Sequence, residues 1–348
     1  MAKKQEQGNA LQELKMAIRQ KCPGRLYFFH GEESFLKQHY LEQLRKLLTD
    51  ELTESFNFHK LTNETFHIQA FADAVENLPM MAETTFVWVD DVDIFKLSEA
   101  DREKVAQLLS DIPEYCSVVF SYETTPWKPD KRLKKLWDVV SQQGSIVEFA
   151  KQDQRDLIPW ITRHFHARDK QITPDLCIYL IELTGGTMTS LASEIGKICA
   201  YSGAKDIRKS DIDAVTEPVL DAVVFQMTDR LSQKEYGAAL QKLHQLLKMQ
   251  QEPLAILGAI GAHFRRMGTA RILLDNGRPA SELMKLCNIT EYPARKTMSA
   301  AGRFSAQFYK RASELVLETD YGMKTSLDTP ERLLEILILQ LAQEANYG

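Results

Sequence analysis

The feature that most constrains this chain is a change of pattern near residue 150. Before that point, short apolar runs (RLYFFH, TTFVWVDD, CSVVFSY and SIVEFA) alternate with amphipathic segments of helical spacing. Strands separated by helices predict a mostly parallel sheet with helices on both faces, because each crossover helix packs back onto the sheet. Residues 1–150 are therefore expected to form an α/β domain.

After this point the strand pattern stops and only helical segments follow. Residues 151–217 contain short segments with Gly185, Gly186 and Gly203 as helix stops, which predicts a small helical domain. After Pro218 the segments lengthen, beginning with one helix predicted over residues 225–250. Residues 218–348 are expected to form an all-α domain, a type of bundle that is more often an assembly module than a catalytic one.

Composition limits the classes of protein that fit. The 348 residues are 44% hydrophobic and 26% charged, which is typical of a globular protein with two or three domains. No apolar stretch reaches the roughly 20 residues that cross a bilayer, so we expect a cytoplasmic protein without membrane contact. A net charge of -5 does not fit a protein that coats nucleic acid by charge alone.

The stretch HGEESFLKQHY lies between a predicted strand and a predicted helix, where a nucleotide-binding phosphate loop would lie. Gly31 and Lys37 match the pattern G-x-x-x-x-G-K-[ST], but Leu36 replaces the second glycine and Gln38 replaces the hydroxyl residue. A leucine blocks the close approach of phosphate, and glutamine is not the small hydroxyl that Mg²⁺ needs. The sequence thus predicts a non-functional phosphate loop, with no catalytic residue, cofactor or metal.

An enzymatic alternative uses the acids that end the strand TTFVWVDD. Asp90 and Asp91 lie where an ATPase holds its metal-bound water, so an active ATPase would use Lys37 together with Asp90. Acids that end a strand are also common simply because they are solvated. Nucleotide binding and hydrolysis separate the two interpretations.

The connection PMMAET contains two consecutive large apolar residues, Met80 and Met81, just after a proline that should end a helix. Adjacent residues cannot easily both turn inward, so at least one is expected to be exposed. A flexible apolar pair on the surface is a candidate for insertion into a pocket of a partner protein, although both side chains could also pack under the loop.

Two basic segments with aromatic neighbours, HFRRMGTAR and YPARK, are candidates for contact with DNA. A second alternative is therefore a nucleic-acid-binding protein, whose DNA affinity would fall steeply with salt. The candidate side chains are Arg265, Arg266, Arg271, Arg295 and Lys296.

Taken together, these features resemble the delta subunits of the bacterial DNA polymerase III clamp loader. The resemblance is carried by LYFFHGEESFLKQHYLEQL, NLPMMAETTFVWVDD, ELTGGTMTSLASEIGKICAYSG and ETDYGMKTS. These four segments occur in the order of the family and are spread over nearly the whole chain.

The resemblance implies a fold and a role. The fold would be an AAA+-like α/β domain, a small helical lid domain and a C-terminal helical collar domain. Members bind the sliding clamp (beta) and help to open it without hydrolysing ATP, while the tau or gamma ATPase subunits and delta prime complete the loader on primed DNA. The holoenzyme is a DNA-directed DNA polymerase, a nucleotidyltransferase, but no catalysis is expected from this chain.

In this family the clamp contact is an apolar pair in the loop before a strand, which corresponds to Met80 and Met81. Many members carry Leu-Phe or Phe-Phe there, so the Met-Met pair is a departure from the pattern. Leu78, two residues earlier, is therefore a further candidate for the contact.

Overall fold

The structure is a computed structural model that describes residues 2–289 and 291–347, without the side chains of residues 2–9, 292 and 347. Two units can be distinguished, Met1–Gln152 and Asp153–Gly348, and each is described separately. The first is an α/β unit, and the second is a helical unit.

A parallel sheet organises the α/β unit. Its strands are β1 (Leu26–His30), β2 (Phe58–Thr62), β3 (Thr85–Asp90), β4 (Cys116–Ser121) and β5 (Ser145–Glu148). Their spatial order is β2-β3-β4-β1-β5, and every neighbouring pair is parallel. Because β1 and β4 are adjacent and parallel, the loops that follow them begin side by side at the carboxyl edge of the sheet.

Helices cover both faces of this sheet. They are α1 (Ala2–Arg19), α2 (Ser34–Leu48), α3 (Glu54–Asn57), α4 (Ile68–Glu76), α5 (Glu99–Ser110) and α6 (Lys134–Gln143). Strand β1 shows the two-sided burial: Tyr27 and Phe29 pack with α1 and α2, while Leu26 and Phe28 pack with α4, α5 and α6. The expected parallel sheet covered on both faces is confirmed.

The details differ from the sequence-based expectation in one strand. Strand β2 was not predicted, because only Leu61 of its five residues is buried and the apolar alternation is weak. It forms an edge of the sheet, where one side needs no partner. Helix α5 is capped by Ser98, whose Oγ accepts a hydrogen bond from Asp101 N at 3.2 Å.

The helical unit contains, over its described residues, eleven helices. They are α7 (Gln154–His166), α8 (Pro174–Thr184), α9 (Met188–Tyr201), α10 (Lys209–Val215), α11 (Leu220–Ser232), α12 (Tyr236–Lys248), α13 (Pro253–Asp275), α14 (Ala280–Cys287), α15 (Glu291–Ala301), α16 (Ala306–Thr325) and α17 (Pro330–Tyr347). A continuous apolar core joins α11 to α17. The division of this unit into a lid (151–217) and a collar (218–348) stays a prediction.

The single helix predicted over residues 225–250 is wrong, because the chain turns back between α11 and α12. Lys234 adopts a left-handed conformation there, with φ of 61°. Gly185 ends α8 in the same conformation, as a helix stop should. No helix among the described residues is both long enough and apolar enough to span a bilayer.

Candidate functional site

The loop after β1 is too short to wrap a phosphate chain. Strand β1 ends at His30 and α2 already begins at Ser34, which leaves three residues between them. Gly31 has φ of 115°, and a Cβ there would lie 2.4 Å from the carbonyl oxygen of Phe149. This glycine is therefore required by packing against the segment after β5, a constraint independent of nucleotide.

Two side chains of the matched motif, those of Lys37 and Leu36, face the protein interior. Lys37 is 1% exposed; its Nζ donates to the carbonyl oxygen of Tyr122 at 2.8 Å and lies 2.6 Å from Glu123 Oε2. Leu36 packs against the apolar layer under α1 and α2, and Gln38 is exposed. The ammonium group that would contact phosphates is thus held by a backbone carbonyl and a carboxylate of the same chain.

Asp90 is engaged in the sheet. Its carboxylate lies 3.0 Å from Lys60 Nζ and accepts a hydrogen bond from Ser121 Oγ at 2.7 Å. That hydroxyl in turn accepts from Trp88 Nε1 at 2.7 Å. Lys37 and Asp90, the two residues that an ATPase would use, are therefore bonded to different internal partners.

Asp91 organises the turn after β4. Its carboxylate accepts hydrogen bonds from the backbone N–H groups of Glu123, Thr124 and Thr125 at 2.7 to 3.1 Å. Burial raises the pKa of Asp91, but the hydrogen bonds from Thr125, Glu123 and Thr124 outweigh it and hold the pKa below its ordinary value. This acid has a structural role in the turn that also carries Glu123.

The loop between α4 and β3 presents apolar side chains to solvent. Leu78 is 73% exposed, Met80 55% and Met81 94%. The prediction that at least one of the two methionines is exposed is confirmed, and both are. Large apolar side chains gathered in one loop are typical of a contact surface for another protein.

The loop is held firmly despite its exposure. The Asn57 side chain accepts a hydrogen bond from Met80 N at 2.7 Å and donates one to Met80 O at 2.9 Å. At the end of the loop, Thr84 Oγ1 donates to the carbonyl oxygen of Leu48 at 2.5 Å. The apolar side chains therefore project from a backbone that is fixed at its centre and at its carboxyl end.

Sequence reasoning missed the second exposed segment of this region. Leu52 and Phe56 are also exposed, and Phe56 directly precedes Asn57. Among the described side chains of the α/β unit, only Met16 is a large exposed apolar residue outside these two segments. No pattern in the sequence connects Asn57 to a loop 23 residues away.

The predicted DNA-contacting residues of α13 differ in their surroundings. Arg271 bonds Asp275 at 2.9 Å and donates to the carbonyl oxygen of Phe304 at 3.2 Å, so it stabilises the bundle. Arg265 is exposed and Arg266 half-buried. Neither forms an ion pair with any described residue, so both keep a charge available for a phosphate.

The second basic segment lies in α15. Arg295 pairs with Glu291 at 2.5 Å, and Lys296 pairs with Glu182 at 2.8 Å while its ammonium lies 4.2 Å from the ring centre of Phe225. The side chain of Tyr292 lies outside the described residues. Contact of this segment with DNA stays a prediction.

The strand order and the strand-to-helix loop define the class of this protein. A five-stranded parallel sheet in the order β5-β1-β4-β3-β2, with a helix after β1, has an AAA+-like fold, and a helical region follows it. The family model described as "DNA polymerase III, delta subunit" matches residues 27–150, and that of its C-terminal domain matches residues 221–341. The chain belongs to the DNA polymerase III delta subunit family.

Individual relatives agree over most of the chain. It is 24% identical over 322 residues to DNA polymerase III subunit delta of Bacillus subtilis, covering 91% of this chain and 92% of the relative. It is also 24% identical over 276 residues to a probable subunit delta of Aquifex aeolicus, covering 76% of each chain. The solved Bacillus subtilis DNA clamp loader delta protein has a similar fold, with a TM-score of 0.64 at 21% identity, over 95% of this chain and 99% of that one.

Proposed function

We propose that this chain is a clamp-loader delta subunit that binds the sliding clamp through Leu78, Met80 and Met81. The observation that carries the proposal is the exposure of three large apolar side chains on a loop whose backbone is held by hydrogen bonds. Insertion of these side chains into an apolar pocket would gain hydrophobic free energy without first ordering the loop. Binding at this loop would then help to open the clamp.

The contact is tested by measuring clamp binding of the purified protein without nucleotide. Burial of each methionine contributes about 1.5–3 kcal/mol, so Met80→Ala/Met81→Ala should weaken binding roughly a hundredfold to ten-thousandfold. Met16→Ala is the matched control, because Met16 is 52% exposed on α1, away from the loop. Equal affinity of the wild type and the double variant would refute the contact.

We also propose that the chain does not hydrolyse ATP. The loop after β1 is shortened, Lys37 is bonded to Glu123, and Asp90 is bonded to Lys60 and Ser121. An active ATPase needs its lysine on the phosphates and its acid near the metal. Titration with millimolar Mg-ATP should therefore give neither binding nor turnover; turnover that is lost in Lys37→Ala would favour the ATPase alternative.

The helical unit would join the chain to the tau or gamma ATPase subunits and to delta prime, in the cytoplasm, around primed DNA. Arg265 and Arg266 are the cations of α13 with charge available for a DNA phosphate. Direct DNA binding by the isolated chain, with a steep dependence on salt, would instead favour the nucleic-acid-binding alternative.

A further inference from the structure

One buried amide connects the apolar loop to the segment before β2. Asn57 ends α3 and is 1% exposed, although its side chain is polar. Its Oδ1 accepts from Met80 N, and its Nδ2 donates both to Met80 O and to the carbonyl oxygen of Thr53 at 3.2 Å. The orientation of the amide is fixed by this pattern, because only an oxygen can accept from the N–H of Met80.

Both backbone polar groups of Met80 thus bond to a single side chain from a distant part of the chain. This arrangement resembles the pairing of two backbones in a sheet, but it occurs in a loop without any strand partner. A buried side chain that makes three hydrogen bonds has little freedom to move. The position of Met80 in space is therefore set by Asn57.

The next residue is held in a conformation that a free loop would avoid. Met81 has φ of 52°, in the left-handed region, which costs a residue with a Cβ roughly 1–2 kcal/mol. Such conformations persist where the surrounding structure fixes them, and they cluster at binding sites. Here the neighbouring residue is fixed by Asn57, and Met81 is the most exposed of the three apolar side chains.

We propose that Asn57 is a positioning residue that holds the loop in its binding conformation before the clamp arrives. This inference rests on the proposed function, since it explains what keeps the loop rigid for its proposed contact with the clamp. Without Asn57 the loop would populate the binding conformation only part of the time, and the apparent affinity would fall by that fraction. The contacts of Met80 and Met81 with the clamp, once formed, would be unchanged.

The test measures association and dissociation rates of the full chain with the sliding clamp. Asn57→Leu keeps the branched shape and the number of heavy atoms of the side chain and removes all three hydrogen bonds. It should lower the association rate about tenfold and leave the dissociation rate unchanged, because fewer molecules are ready to bind. Met80→Ala/Met81→Ala should act differently, chiefly by accelerating dissociation.

Ser121→Ala is the matched control for the loss of a buried polar side chain. Ser121 bonds Trp88 and Asp90 at the carboxyl end of β4, whereas the loop precedes the amino end of β3. General destabilisation lowers the fraction of active protein in both variants, but only loss of positioning lowers the association rate of the active fraction. If Asn57→Leu folds poorly, Asn57→Ala, which lets water reach Met80, replaces it.

Hydrogen exchange of the unbound chain gives a readout that does not depend on the clamp. Asn57→Leu should accelerate exchange in peptides covering residues 77–84, and Ser121→Ala should not. The inference is overturned if this exchange is unchanged, or if Asn57→Leu binds at the wild-type rate while Met80→Ala/Met81→Ala loses binding. Unchanged clamp binding by the double methionine variant refutes the proposed contact, and the exchange result alone then decides the role of Asn57.

Discussion

Lys37 carries a charge at a site that is 1% exposed, and its two partners offset the cost of burial. The partners are unequal: the Tyr122 carbonyl is neutral, while the Glu123 carboxylate supplies the opposite charge with a side chain that is 36% exposed. Ser34 Oγ also donates to Glu123, which ties the first turn of α2 to the end of β4. A carboxylate of the protein therefore pairs with the lysine that would contact phosphate in an active ATPase.

This asymmetry predicts unequal effects of removing each partner. Glu123→Leu leaves a buried ammonium with only a carbonyl and should cost about 2–3 kcal/mol of unfolding free energy. Lys37→Met keeps an unbranched side chain without the ammonium group and leaves a carboxylate that can still be hydrated, so it should cost about 1 kcal/mol. Urea denaturation of both variants measures the difference, and Glu123→Leu as stable as Lys37→Met would contradict it.

Among the elements, the sequence predicted those whose burial produces a clear pattern. Strand β1 is a short apolar run whose side chains are buried on both faces of the sheet. Strand β2 could not be predicted, because a single buried residue, Leu61, gives no period. The same holds for the site: Met80 and Met81 stand out as apolar residues in a loop, while Asn57 acts through a contact that only the folded chain creates.

The turn between α11 and α12 was missed for a related reason. The segment SQKE contains neither glycine nor proline, so the apolar spacing continues through it as in one helix. The chain reverses because Lys234 adopts a left-handed conformation that lysine tolerates poorly. The two helices then pack against each other, and the free energy gained by this packing is larger than that of continuing as one long helix.

Substitutions at Lys234 test this account. A β-branched residue is more strained than lysine at φ of 61°, so Lys234→Ile should destabilise the helical unit by about 1–2 kcal/mol. Lys234→Gly should leave the free energy of unfolding unchanged or raise it by about 0.5 kcal/mol. The energy released by removing backbone strain is at least as large as the cost of the extra conformational entropy that glycine gives to the unfolded chain. Denaturation midpoints give the order, and equal midpoints for the two variants would contradict the role of the turn.

At the scale of the whole molecule, each unit contains a histidine whose ring is kept neutral: half-buried His30 in the α/β unit and buried His263 in the helical unit. In the α/β unit, burial and, to a smaller extent, the charge of Lys37 lower the pKa of His30 to about 4. In the helical unit, burial and then the charge of Arg266 lower the pKa of His263 to about 3. His263 Nε2 is buried, and no described group forms a hydrogen bond with it. Acid should therefore weaken both units.

The sign of the effect follows from proton binding. The pKa of a histidine is 6.5 in the unfolded chain and about 3 for folded His263, so between these values only the unfolded chain takes up the proton. The contribution of neutral His263 to stability is complete above pH 6.5 and is lost as the pH falls toward 3. The loss from this one residue reaches at most about 1.4 kcal/mol per pH unit.

His263→Leu should therefore make the helical unit lose less stability between pH 7 and pH 4 than the wild type does. Hydrogen exchange of peptides from α13 reports on this unit separately from the α/β unit. His166→Gln is the control, because His166 is exposed in the same unit and should leave the profile unchanged. The α/β unit, which retains His30, should keep its own acid sensitivity in both variants. If the stability measured by exchange of α13 peptides falls with pH as steeply in His263→Leu as in the wild type, acid acts on the bundle through other groups.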